Sequence, residues 1–153
     1  MQPGTPEPTA HRAAGVLFVD DEPHEVRIVS RVLADALGTP VGVAGTVADA
    51  VRMLHERPWL CVVMDVFVPL GDHPHRVLGP RARRWQQQVE HLGGLVLLEE
   101  IERLERPPLV LCHTACTDHV LLEIFDGRVE GRLPKPAPVD VLLDRLRDLL
   151  APA

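Results

Sequence analysis

Short apolar runs that end on polar residues, each followed by a helical pattern, recur along this chain and constrain its fold more than any other feature. Residues 15–19, Gly-Val-Leu-Phe-Val, run into Asp20-Asp21-Glu22-Pro23, and residues 60–64, Leu-Cys-Val-Val-Met, run into Asp65. Residues 109–112, Leu-Val-Leu-Cys, lead to His113-Thr114-Ala115, and a weaker run at 129–133 leads to Pro134-Lys135-Pro136. A second weak strand, the fifth in all, is expected at 41–44. Runs that are apolar on both faces suit central strands of a parallel sheet, and their alternation with helices predicts a doubly wound α/β domain of five parallel strands.

The helices between the runs carry their own signals. Pro23 opens the first, where its missing N–H does no harm, and Gly38 is its natural stop. Thr46 with Asp49 three residues on predicts the start of the second, and Pro58 its end. A third helical pattern runs from Trp85 to Arg106 and is expected to break at Gly93-Gly94, with Leu95, Leu98, Ile101 and Leu104 as its buried stripe. The fourth is read at 118–125 and the last at 139–150.

Bulk composition narrows the class further. A chain of 153 residues suits one core, and 46% apolar with 25% charged residues excludes wholesale disorder. A net charge of −6 argues against nucleic acid as a direct ligand. No run of about 18 apolar residues offers a membrane span. Residues 1–13 lack the apolar stretch of a signal peptide and read as a loose tail before a domain at 14–151. Three cysteines without framework spacing fit a reduced, cytoplasmic setting.

In sheets of this kind the ligand sits beyond the carboxyl ends of the strands. Asp20, Asp21, Asp65, Thr114 and Lys135 all fall there and are expected to share one pocket. Three crowded carboxylates repel one another unless a cation neutralises them, and Mg²⁺ is a hard ion suited to a few carboxylates plus a phosphate oxygen. A carboxylate can also act as nucleophile toward phosphorus and form an aspartyl phosphate, with Lys135 offsetting charge on the phosphoryl oxygens.

The segments Val16-Leu-Phe-Val-Asp-Asp-Glu-Pro23, Val62-Val-Met-Asp-Val-Phe-Val-Pro69, His113-Thr-Ala115 and Lys135-Pro136, with Gly94-Leu-Val-Leu-Leu98, resemble the receiver domains of two-component response regulators. The resemblance spans roughly residues 14–151. It implies a flavodoxin-like strand order, Asp65 as phosphoacceptor, Asp20, Asp21 and Asp65 as metal ligands, and the Phe67 carbonyl as a backbone ligand to Mg²⁺. Thr114 and Lys135 take the places of the switch hydroxyl and the phosphate-binding lysine, and the Lys135–Pro136 bond is expected to be cis. A histidine kinase or phosphotransfer protein is the implied donor and a downstream protein the implied target, with a homodimer compatible with the fold. The elements end just past the fifth helix, so output by protein contact is expected rather than by an attached domain. The resemblance implies self-phosphorylation and autodephosphorylation, not turnover of a separate substrate.

Two departures stand out. The family's aromatic residue three positions before the lysine is Arg132 here, and the stretch after Asp65 is longer by roughly twenty residues, an insert at about 71–92. The insert is expected to serve partner choice or gating through Arg76, Arg81, Arg83 and Arg84, with Trp85 beside them. Asp72, His73, His75 and His91 are weaker candidates for a transition metal, as is the Cys112-to-Cys116 segment, where Cys112 reads better as a small strand hydrophobe. The missing aromatic leaves open a receiver-like interaction module that is never phosphorylated. An aspartate-nucleophile phosphatase is the other rival, but it needs a second acid where this chain has Phe67.

Overall fold

A computed structural model describes residues 15–72 and 93–151. Strands β1 (Val16–Val19), β2 (Val41–Ala44), β3 (Cys61–Met64), β4 (Leu109–Thr114) and β5 (Gly131–Pro134) form one sheet in the order β2-β1-β3-β4-β5. Every pairing is parallel. The helices are α1 (Pro23–Leu37), α2 (Val47–Glu56), α3 (Gly93–Glu102), α4 (His119–Asp126) and α5 (Val139–Leu150). The expected doubly wound architecture and flavodoxin-like order are therefore the observed ones.

Strand parity sorts the core into two layers. Leu17, Val19, Val62, Met64, Val110 and Cys112 pack against α2, α3 and Phe125 of α4. Val16, Phe18, Cys61, Val63, Leu111 and Leu133 point the other way, onto Val26 and Leu33 of α1 and Leu142 and Leu146 of α5. Alternate residues of a strand face opposite sides, so both layers are continuous only because the central strands are apolar throughout. Cys112 is fully buried in the first layer, as a strand hydrophobe would be.

Helix ends follow local chemistry where it exists. Thr46 accepts the Asp49 amide at 3.1 Å, and Asp118 accepts the amides of Val120 and Leu121. Gly38 closes α1 in the left-handed conformation at φ 65°, donating its amide to Ala34. The last helix spans the residues expected of it. Strand β5 starts two residues later than the apolar pattern implies, because Val129 instead packs against the core from the turn after α4.

The third helix differs from expectation. Gly93 and Gly94 are its first described residues, the stretch from Trp85 to Leu92 that the expected break would set apart lies outside the described residues, and the helix ends at Glu102 rather than running on to Arg106. Its buried face is Val96, Leu97, Leu98 and Ile101, while Leu95 and Leu104 pack only partly against the core. The reason lies in the loop after β3. Gly93 and Gly94 donate their amides to the carbonyls of Val68 and Val66, at 2.9 and 3.1 Å. Val47 and Ala48, at the start of α2, donate to Pro69 and Leu70. The 66–70 loop thus supplies acceptors for the otherwise unpaired first amides of two helices. A Cβ on Gly94 would meet the Asp65 carbonyl oxygen at 2.6 Å, and one on Gly93 would meet that of Val68 at 2.0 Å. The glycine pair is a close approach of backbone to backbone.

Candidate functional site

The site lies past the carboxyl ends of β1, β3 and β5. Asp20 follows Phe18 and Asp65 follows Val63 at strand parity, so both carboxylates begin on the α1/α5 side of the sheet. Each is then held by a backbone amide two residues on. Glu22 N–H donates to Asp20 Oδ1 at 3.0 Å, and Phe67 N–H donates to Asp65 Oδ1 at 3.3 Å. These turns leave Oδ2 of both residues free to face each other's element.

Lys135 occupies the gap. Its Nζ stands 2.6 Å from Asp20 Oδ2 and 2.9 Å from Asp65 Oδ2. Burial alone would discourage the ammonium charge, but hydrogen bonds to Asp20 and Asp65 outweigh it and raise the lysine above its ordinary pKa. Asp20 and Asp65 are buried, whereas Asp21 is exposed at the rim. One carboxylate oxygen from each of Asp20, Asp21 and Asp65 lies within 4.8 Å of the others. Among the described residues this is the one group of three or more ligating side chains so placed. The three carboxylates form an all-oxygen donor set, which fits a hard divalent cation such as Mg²⁺.

Thr114 sits at the end of β4, 1% exposed, and its hydroxyl accepts the Cys116 amide at 3.1 Å. It belongs to the opposite strand parity from His113, on the α4 side of the sheet. Arg132 is exposed and its Nε lies 3.7 Å from Asp126 Oδ1, so the residue in the aromatic position faces solvent in a surface ion pair. Phe67 is 41% exposed beside the site. The Lys135–Pro136 bond is cis, as expected. The segment carrying His73, His75, Arg76, Arg81, Arg83, Arg84, Trp85 and His91 lies outside the described residues.

One neighbour of the site escaped the sequence reading. In sequence His113 reads only as part of a strand-end motif and of the Cys112-to-Cys116 segment. Its odd position on β4 aims it, like Leu111, toward α1 and α5, where it lines a cavity beside Asp20 and Lys135. Burial, and next the charge of Lys135, push the imidazole below its ordinary pKa. Strand parity was the signal that could have found it.

No family model matches the sequence, and no curated protein matches it significantly. Solved structures do match. The non-phosphorylated HemR receiver domain from Leptospira biflexa is 20% identical, with 92% of this chain and 96% of that chain covered and a TM-score of 0.68. The receiver domain of a sensor histidine kinase from Pseudomonas aeruginosa, with a magnesium ion coordinated in its active site cleft, is 18% identical over 90% of this chain and 98% of that one, with a TM-score of 0.66. The N-terminal domain of an uncharacterized protein from Wolinella succinogenes is 20% identical over 90% of this chain and 94% of that one, at a TM-score of 0.69. At these identities the likeness is one of fold. No helix among the described residues is long and apolar enough to cross a membrane. In strand order, in the placing of its helices and in its likeness to these structures, the chain folds as a response-regulator receiver domain.

Proposed function

We propose that this domain accepts a phosphoryl group on Asp65 from a histidine kinase or phosphotransfer protein, in the cytoplasm, and passes the signal on through protein contacts. The observation that carries this reading is Lys135 Nζ lying between Asp20 Oδ2 and Asp65 Oδ2, with Asp21 close enough to share an ion. A nucleophilic carboxylate needs its charge balanced before an anionic phosphoryl group can approach, and this cluster supplies the means. Asp20, Asp21, Asp65 and the Phe67 carbonyl would hold Mg²⁺, which when bound offsets charge on the phosphoryl oxygens.

The chain's own groups do the rest. The Phe67 amide fixes the Asp65 carboxylate through Oδ1, leaving Oδ2 as the attacking atom. As that oxygen bonds to phosphorus, the donor's bond to phosphorus breaks and the donor departs. In this reading Lys135 follows the negative charge from the carboxylate to the phosphoryl oxygens, and Thr114 turns its hydroxyl toward one of them. The site holds no second acid at position 67 for hydrolysis of a phosphate ester, so turnover of a separate substrate is not part of this reading.

A second reading rests on Arg132. With that side chain in a surface pair with Asp126, no aromatic residue at this position couples the site to the α4 side of the sheet. A contact module that is never phosphorylated would have no need of such coupling. One experiment separates the two. Acetyl phosphate with Mg²⁺ should give an acid-stable, base-labile acyl phosphate that mass spectrometry maps to Asp65. Asp65→Asn should remain unlabelled; equal labelling of that variant, or no labelling of the wild type, removes the proposal.

A further inference from the structure

A cavity of about 510 Å³ lies on the α4 side of the sheet, between the loop after β4, the first turns of α4 and strand β5. Strand register builds its floor. Arg132 pairs with Cys112 and Pro134 with Thr114, and alternate residues of a strand share a face, so Arg132 and Pro134 stand on the same side as Thr114. Cys116 and Thr117 close the cavity from the loop, and His119 and Leu122 from α4. Of the residues placed at the acidic site, Thr114 alone lines it. The volume falls within the range for small-molecule clefts, about 300–1,000 Å³. The charge of the wall is unlike that of the chain. The protein carries a net charge of −6, yet no carboxylate lines this cavity among the described residues. One guanidinium does. Arg132 Nε is 3.7 Å from Asp126 Oδ1, beyond hydrogen-bond reach, so the planar fork of N–H donors makes no hydrogen bond among the described residues.

We propose that this cavity binds a small organic carboxylate, with the carboxylate forked on Arg132 and an apolar body laid against Leu122 and Pro134. A planar guanidinium and a carboxylate match in geometry and in charge, and such pairs are stronger than hydrogen bonds between neutral groups. A cation is repelled by Arg132. A neutral molecule leaves the fork without a charged partner, and a bare inorganic anion leaves the apolar part of the wall in water. Thr117 and His119, both exposed at the cavity, offer a hydroxyl and an imidazole as further donors.

The cavity also touches the chemistry. The Thr114 hydroxyl accepts the Cys116 amide at 3.1 Å, and both residues line the cavity. When Thr114 turns that hydroxyl toward a phosphoryl oxygen, the Cys116 amide loses its acceptor, which is costly for a donor shielded from water. A carboxylate oxygen in the cavity takes the place of that acceptor. Ligand and phosphoryl group therefore favour each other, and by linkage each raises the affinity for the other by the same factor. This consequence rests on the phosphoacceptor reading, whereas binding itself does not.

The test is an amide NMR titration of the full chain, without Mg²⁺ or phosphodonor, with benzoate, benzyl alcohol and inorganic phosphate as probes. Benzoate should shift the resonances of Cys116, Thr117, His119 and Arg132, and the other two probes should each bind there about fivefold more weakly or worse. Arg132→Gln, a change at an exposed side chain, should weaken benzoate about tenfold, the scale of a hydrogen bond to a charged group, and leave benzyl alcohol unchanged. Thr114→Val leaves the Cys116 amide without its acceptor and should tighten benzoate severalfold. No benzoate shifts at this wall, or equal binding of benzyl alcohol, overturns the ligand class. Phosphate binding as tightly as benzoate overturns the apolar body, and an unchanged benzoate affinity in Arg132→Gln overturns the anchor. An unchanged affinity in Thr114→Val overturns the contact with the Cys116 amide. With phosphoramidate and Mg²⁺, a donor that releases no carboxylate, benzoate should bind labelled wild type more tightly than Asp65→Asn; equal affinities overturn the coupling. Because the first titration needs no phosphorylation, failure of Asp65 labelling leaves the binding result standing, and loss of binding leaves the labelling result standing.

Discussion

Lys135 Nζ is 2.9 Å from Asp65 Oδ2, a contact that joins residues 70 apart in sequence and spans the sheet from β5 to β3. The same ammonium is shared with Asp20. Lys135→Met removes the only cation in this contact set and should slow acetyl phosphate labelling of Asp65 by roughly 100-fold, the scale of losing a charged donor at a developing oxyanion. Arg132→Ala serves as the comparison. Its exposed pair with Asp126 is worth about 0–1 kcal/mol, and the labelling rate should stay within roughly twofold of wild type. Similar rates for wild type and Lys135→Met would remove the lysine from the chemistry.

Mg²⁺ should depend on each acid of the cluster. Asp20→Asn and Asp21→Asn each remove a unit charge from a set whose oxygens lie within 4.8 Å of one another. Each substitution should weaken Mg²⁺ binding on the order of 10-fold or more, as measured by calorimetry or amide shifts. Chelation should stop labelling of the wild type. An unaltered Mg²⁺ affinity in both variants would move the ion elsewhere.

Gly94→Ala tests the packing that sets the position of Asp65. The new methyl would sit 2.6 Å from the Asp65 carbonyl oxygen and 2.8 Å from Val66 Cα, both backbone atoms with nowhere soft to yield. Denaturant unfolding should show a loss of about 1–3 kcal/mol, and labelling of Asp65 should slow because its backbone is displaced. Gly127→Ala, where a Cβ meets nothing within 4 Å, should change stability by no more than about 0.5 kcal/mol. Equal stabilities for the two variants would contradict the close approach of α3 to the β3 loop.

Thiol chemistry reports on the two core layers. Burial pushes both Cys61 and Cys112 up to about 12, with the charges of Glu130 and Asp65 respectively adding to the effect. At pH 8 neither is a thiolate, whereas Cys116 is partly exposed on the loop after β4. A disulfide reagent should label one thiol rapidly in the native protein and all three only after unfolding. Rapid native labelling of a second cysteine would show that one of the core layers opens.

Much of this molecule was legible in its sequence because the determining signals are local. Apolar runs of strand length, the Thr46 cap and the Gly38 stop each act within a few residues, and they placed the alternating elements and their order of use. Polar residues at strand ends then marked Asp20, Asp65 and Lys135 as neighbours, since a parallel sheet brings its carboxyl ends to one side. Other features needed the folded chain. Gly93-Gly94 read as a break because glycine is a poor helix former, but that their amides bond to the carbonyls of the 66–70 loop shows only in the folded chain. The unpaired nitrogen of His113 and the bridge from Lys135 to two carboxylates arise only when segments distant in sequence meet. Local pattern fixes which face a residue presents, but what stands opposite that face is decided by packing across the whole sheet.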